Sequence, residues 1–239
     1  MKVPIYKVTY TPRFKRANVY NWGCNFRCRG CSYKLGSPYE PGMPFLAPKR
    51  VKEALERLDI ERVHFLGGEP TTNPDLPELA RFAKKQLGAY TKIGHSNGSI
   101  MPPKDIDAIS ISIKAYTDEI HVDYTGASNA DVLANFERVY GLGVEVDASS
   151  VLIPGYIDHD EIERIARFIA SVDPKIPYHI VGYVPVPGAP WRAPRREEVE
   201  RSAKAAGRYL SSVTFSSLSP DEFLNLRRID PRYMSIKVA

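Results

Sequence analysis

The chain has no acidic residue before Glu40 and no cysteine outside positions 24–31. It also has no apolar stretch near the ~18 residues a membrane span requires. Each absence removes a class of function. Three cysteines cannot build the even-numbered disulfide framework of a small secreted protein. The opening Met-Lys-Val-Pro-Ile-Tyr-Lys lacks the apolar core of a secretory signal. With free thiols this points to a reducing cytoplasm and to no membrane association. No internal repeat or low-complexity linker divides the sequence, so its 239 residues are expected to form a single domain.

The missing acids leave a basic opening stretch: Lys2, Lys7, Arg13, Lys15, Arg16, Arg27, Arg29 and Lys34, within a net charge of +5. Such a stretch can be a solvated face. It can equally attract an anionic cofactor assembly, a phosphate-bearing substrate or a nucleic acid. No aromatic-rich RNA-binding signature promotes nucleic acid above the others.

What is present is concentrated. Cys24-Asn-Phe-Arg-Cys28-Arg-Gly-Cys31 has the spacing to wrap three thiolates around a [4Fe-4S] cluster. A cluster of four irons takes one protein ligand per iron, so three cysteines leave one iron open to bind and activate a small molecule. The alternatives are inert thiols, or a zinc site whose fourth ligand would be a distant histidine such as His64 or His95.

Strand and helix patterns alternate, which favours a parallel α/β sheet. Strands are expected at Ala17–Asn21, Arg62–Leu66, Tyr90–Gly94, Ile109–Ile113, Val144–Ile153 and Tyr178–Gly182. Helices are expected at Pro48–Leu58, Asp75–Leu87, Asp131–Tyr140 (capped by Ser128 or Asn129), Asp158–Ser171 and Arg195–Ala206. That makes about six βα units over 17–206, preceded by an extension (1–16) and followed by a covering segment (207–239) in which Ser211–Ser219 could be a last strand. Four prolines stiffen the loop at 185–194.

In parallel α/β folds, ligands gather at the carboxyl ends of the strands. The unusual residues fall there: Cys24–Cys31 after the first strand, Gly67-Gly68-Glu69-Pro70 after the second, His95-Ser-Asn97-Gly98 after the third, Lys114 after the fourth, Pro154-Gly155 after the fifth, and His179 in the sixth. Glycines let backbone approach a ligand closely. Glu69 could accept from an ammonium group and Lys114 could pair with a carboxylate, a set that suits an α-amino acid chelating the open iron.

With Cys24-x3-Cys28-x2-Cys31 followed by Gly67-Gly-Glu-Pro70, the chain resembles the radical S-adenosylmethionine (SAM) superfamily. The resemblance implies a partial (β/α)6 barrel of the radical SAM type, a [4Fe-4S] cluster on Cys24, Cys28 and Cys31, and SAM chelated to the unique iron. It implies reductive cleavage of SAM to methionine and a 5′-deoxyadenosyl radical that abstracts hydrogen from a substrate. By it Gly67, Gly68 and Glu69 contact the SAM amine, and Asn97, Lys114 and His179 join the same site.

Within the superfamily the likeness is greatest to glycyl-radical-enzyme activating enzymes of the pyruvate formate-lyase type. It is carried by Asp118-Glu-Ile-His-Val-Asp-Tyr-Thr-Gly126-Ala-Ser-Asn129, Leu152-Ile-Pro-Gly155, Pro177-Tyr-His179 and Pro194-Arg-Arg-Glu-Glu. It covers about residues 17–206, and it implies a glycyl radical enzyme as partner and an electron donor such as flavodoxin or ferredoxin. Three positions depart from the pattern. Gly30 stands where the superfamily usually has an aromatic residue against adenine, leaving Phe26 or Tyr33 as candidates. His95 and Ser112 stand where activating enzymes carry acids for a monovalent cation, so none is expected. Two other readings remain: a radical SAM enzyme acting on a small heterocyclic or anionic metabolite, as 7-deazaguanine synthases do, and a non-catalytic iron–sulfur electron-transfer protein.

Overall fold

The computed structural model describes residues 4–35, 44–230 and 234–239; Lys2 of the basic stretch lies outside them. The strands are β1 (Ile5–Thr11), β2 (Arg16–Asn21), β3 (Arg62–Leu66), β4 (Tyr90–Ser96), β5 (Ala108–Ser112), β6 (Glu145–Leu152), β7 (Tyr178–Gly182), β8 (Val213–Ser216) and β9 (Ile236–Lys237). The helices are α1 (Pro48–Glu56), α2 (Leu76–Lys85), α3 (Asp118–Thr125), α4 (Ala130–Gly141), α5 (His159–Val172), α6 (Arg196–Ala206) and α7 (Pro220–Ile229).

One sheet holds all these strands in the order β8-β7-β6-β5-β4-β3-β2-β1-β9. From β2 to β8 every pairing is parallel. Each strand lies beside its predecessor, as helical crossovers of one hand produce. Among the described residues no pairing joins β8 to β9, so the sheet curls into a partial barrel that stays open on one side.

The helices cover the outer face. Val19, Val63, Phe65, Ile93, Ile109 and Ile180 are fully buried there with Leu55, Leu79, Phe136, Ile165 and Val199. Each such side chain contributes roughly 1.5–3 kcal/mol by leaving water. The inner face is different. Cross-strand register sets Asn18, His64 and Lys92 side by side, Ser110 beside Asp147, and Ser149, His179 and Thr214 in a row. Closed barrels usually fill this face with branched apolar residues; here it is polar and titratable.

The expected strands and helices are present, with ends shifted by up to a few residues. The extension is not outside the sheet: residues 5–11 form β1, antiparallel to β2. A register shift between Ile5 and Lys7 breaks its alternation, which hides it from a period-two reading. Helix α3 was not among the expected helices; its signals lie at its ends, with Asp118 and Glu119 in its first turn and Gly126 at φ 79° just past its last. The cap position of α4 is Asn129, whose side chain does not cap the helix, and Ser128 just before it accepts from Ala130 N at 3.2 Å. Asn129 instead donates to Ala115 O and Tyr116 O at 3.2 and 2.6 Å.

Candidate active site

The cysteine loop leaves β2 and lies directly on the turn after β3. Glu69 N donates to Gly23 O at 2.8 Å. A Cβ on Gly68 would sit 1.7 Å from Gly23 O, and one on Gly67 would sit 2.4 Å from Asn21 O. Gly67 and Gly68 have positive φ, 77° and 26° respectively. No side chain fits either position, which is the physical reason for the glycine pair.

The far side of the loop is held by α3. Arg27 N donates to Thr125 O at 2.8 Å and Arg29 N to Tyr124 O at 2.9 Å. These are carbonyls of the helix's last turn, which no helical N–H can satisfy. The loop and the helix end therefore complete each other.

Cys24, Cys28 and Cys31 are free and partly buried. Burial pushes the Cys24 and Cys28 thiols up, and the neighbouring thiolates push them further. Lys114 pulls Cys28 back down. Among the described residues no three His, Cys, Asp or Glu side chains converge to hold a single metal ion. Three soft thiolates spread along one loop suit a larger group whose irons sit at separate corners. A bound cation would also keep such thiols deprotonated against the cost of their burial.

Glu69 is 1% exposed. Its Oε1 accepts from Thr71 N at 3.0 Å, Thr71 Oγ1 at 2.7 Å and Ser96 Oγ at 2.9 Å. Its Oε2 accepts from Asn97 N at 2.5 Å, which leaves one lone pair on that oxygen. Burial pushes the carboxyl up and these hydrogen bonds pull it back.

Lys114 stands near Cys28, His95 and His121, whose proton affinities its charge lowers. No hydrogen bond or ion pair holds it among the described residues. By contrast Lys92 pairs with Asp147 at 2.6 Å. His95 faces open space yet is surrounded by protein, as a residue lining a lumen would be; burial, with Lys114 and Lys92, pushes it down to about 4. His64 is pushed down to about 3 by burial and then by Arg16 and Lys92. Both rings are thus kept neutral among cations.

His179 turns both ring nitrogens toward β8, with Nδ1 2.7 Å from Thr214 Oγ1 and Nε2 3.0 Å from Ser216 Oγ. The sequence reading missed these two hydroxyls because β8 is short and its residues carry no motif. It also missed Tyr124 and Tyr183. A Cβ on Gly30 would meet Tyr124 OH at 2.7 Å and Tyr183 Cε2 at 2.9 Å, so these rings fill the space a side chain there would need. Phe26 instead packs edge-on to His121 with ring centroids 5.5 Å apart, and Tyr33 is exposed. The absence of a side chain at Gly30 was the available signal.

The site therefore joins a cysteine loop, a glycine turn with a buried carboxylate, and a lysine without a partner among the described residues, at one end of a polar lumen. Residues 21–169 match the family model described as the Radical SAM superfamily. A protein of Methanocaldococcus jannaschii, provisionally named a glycyl-radical enzyme activating enzyme, is 31% identical over 211 residues, which cover 84% of this chain and 80% of that one. GTP 3′,8-cyclase of Aquifex aeolicus is 28% identical over 163 residues, 62% of this chain and 50% of that one. The crystal structure of Streptococcus suis SuiB shares the fold with a TM-score of 0.63 at 16% identity, covering 82% of this chain and 47% of SuiB. The chain thus spans about half the length of the last two.

Proposed function

Because the chain belongs to the radical SAM superfamily, we propose that Cys24, Cys28 and Cys31 hold a [4Fe-4S] cluster with SAM beside it, and that the enzyme serves to activate a glycyl radical enzyme. The observation that carries this reading is the placement of the start of the cysteine loop against the Gly67-Gly68-Glu69 turn, with Lys114 near Cys28 and, among the described residues, in no hydrogen bond or ion pair. The likeness to the Methanocaldococcus protein supports the activating role. When bound, the cluster and SAM supply one-electron cleavage of a carbon–sulfur bond and a carbon radical for hydrogen abstraction.

The chain's own residues bind and orient. Lys114 pairs with the SAM carboxylate, and the free lone pair on Glu69 Oε2 takes the ammonium. Gly67 and Gly68 let backbone approach the methionyl group, and Asn97 and the hydroxyl-anchored ring of His179 bound the same space. A reduced flavodoxin or ferredoxin would deliver the electron. Free thiols suit a reducing compartment such as the cytoplasm, and no helix of the described residues is long and apolar enough to cross a membrane. The polar inner face also favours a second reading, a small anionic metabolite as substrate, which the likeness to GTP 3′,8-cyclase supports.

Anaerobic reconstitution followed by dithionite and SAM should release 5′-deoxyadenosine. Adding a glycyl radical enzyme should then yield a protein-based glycyl radical visible by electron paramagnetic resonance (EPR). Nucleoside formation with no radical on any such partner favours the metabolite. No nucleoside at all removes the proposal and leaves an electron-transfer protein. Lys114→Met should weaken SAM binding about tenfold to a hundredfold at unchanged iron content, since a charge-assisted pair contributes about 1.5–3 kcal/mol. Calorimetry on the reconstituted protein reads this, and an unchanged affinity removes Lys114 from the carboxylate role.

A further inference from the structure

Asn97 has every hydrogen-bonding position of its side chain occupied. Its Oδ1 accepts from Ser99 N at 3.0 Å and from Ser99 Oγ at 2.7 Å. Because a backbone N–H can only donate, this contact fixes which end of the amide is oxygen. The NH2 group therefore faces the cysteine loop, where Nδ2 lies 2.7 Å from Asn25 Oδ1 and 3.7 Å from Cys24 Sγ.

The backbone beneath this side chain is pinned equally well. Asn97 N donates to Glu69 Oε2 at 2.5 Å and Gly98 N to Ser96 Oγ at 3.0 Å, while Asn135 Nδ2 donates to Gly98 O at 3.0 Å. Gly98 sits at φ 76°, and a Cβ there would meet Ile111 Cγ2 at 2.9 Å. The turn thus has one position, with the Glu69 carboxylate as its anchor. Cys24 receives a second donor, Phe26 N, 3.4 Å from its sulfur. Among the described residues the sulfur of Cys28 meets only the backbone N–H of its own residue, and no hydrogen-bond donor reaches that of Cys31.

We infer that Asn97 raises the reduction potential of the bound cluster by donating to the sulfur of Cys24, and that Glu69 is the positioning residue that holds it there. The inference rests on the proposed cluster site and adds a role to two of its residues. The reasoning is electrostatic. A one-electron reduction, with the electron supplied by an external reductant, adds one negative charge shared between irons and thiolates. A fixed N–H aimed at a thiolate sulfur stabilises the more negative state by more than the less negative one. Glu69 then links the amino-acid end of the site to the electronic properties of the metal end, through one residue and two hydrogen bonds.

The test is a potentiometric titration followed by EPR, on anaerobically reconstituted full-length protein without SAM. Asn97→Leu keeps the size and removes the donor. Its midpoint should fall, with the reduction equilibrium weakened about tenfold, or about 59 mV for a one-electron couple. Asn97→Asp puts an acceptor where the donor was and should fall at least as far. Glu69→Gln loosens the anchor but also removes a carboxylate charge that acts on Cys24, which by itself raises the midpoint; in that background Asn97→Leu should lower the midpoint by less than it does in wild type, because the loosened anchor has already weakened the donor. Coincident midpoints for wild type and both Asn97 variants overturn the inference. An Asn97→Leu shift of the same size in both backgrounds overturns the positioning role alone. Failure of both Asn97 variants to load a cluster while circular dichroism stays native also overturns it, since it would make Asn97 an assembly residue. Failure of the wild type to load a cluster would instead remove the underlying site.

Discussion

Gly68→Ala is expected to destroy the proposed cluster site by moving the loop that carries it. The new methyl would lie 1.7 Å from Gly23 O, less than any non-bonded approach allows, and its neighbour is backbone with no rotamer to change. The φ of 26° adds strain of its own. Relief requires the 23–31 segment to lift, which breaks the Glu69 N to Gly23 O bond and displaces Cys24. We expect a loss of about 3–5 kcal/mol in urea unfolding and iron content near background after reconstitution. Gly88→Ala is the matched control. It shares a positive φ, 64°, and has nothing within 4 Å of the new methyl, so only about 1 kcal/mol of backbone strain is expected. Equal behaviour of the two variants would mean that the close approach of the turns has no consequence for the site.

Cys28→Ala should remove catalysis without removing the fold. Cys28 is only half buried, and among the described residues its sulfur meets no donor beyond the backbone N–H of its own residue, so its loss costs little stability. Two thiolates then remain for a group that needs three, next to a lysine whose charge they no longer balance. We expect loss of the visible iron–sulfur absorbance and a fall of at least ~10³-fold in 5′-deoxyadenosine formation, a barrier change of about 4 kcal/mol. The unfolding midpoint should stay close to wild type. A variant that keeps a four-iron cluster would show that Cys28 is not a ligand.

The parts of this molecule that were legible in its sequence share one property: a local pattern states the physical demand. Ile109-Ser-Ile-Ser-Ile113 alternates because one face of β5 is packed by helices and the other looks into the lumen. The cysteine spacing and Gly67-Gly68 are equally local, since loop length and backbone clearance are fixed within a few residues. What stayed hidden depends on residues far apart in the chain. Nothing around Asn97 announces Cys24, because their contact exists only once β2 and β4 lie two strands apart in one sheet. Tyr124 and Tyr183 fill the space beside Gly30 from α3 and from just beyond β7. Thr214 and Ser216 reach His179 because β8 pairs in parallel with β7. The inner face of the sheet was legible only at Ile109–Ile113, and its collective charge was not, since register alone brings His64 beside Lys92.

The account depends on an iron–sulfur group that this chain ligates at three corners only. Mössbauer spectroscopy of protein reconstituted with ⁵⁷Fe, recorded before and after SAM is added, addresses this directly. The account predicts four irons, three unaffected by SAM and one whose isomer shift rises as an amine and a carboxylate bind it. A spectrum that SAM leaves unchanged, with all four irons already carrying protein ligands, would contradict it, as would a zinc ion held by the same thiols.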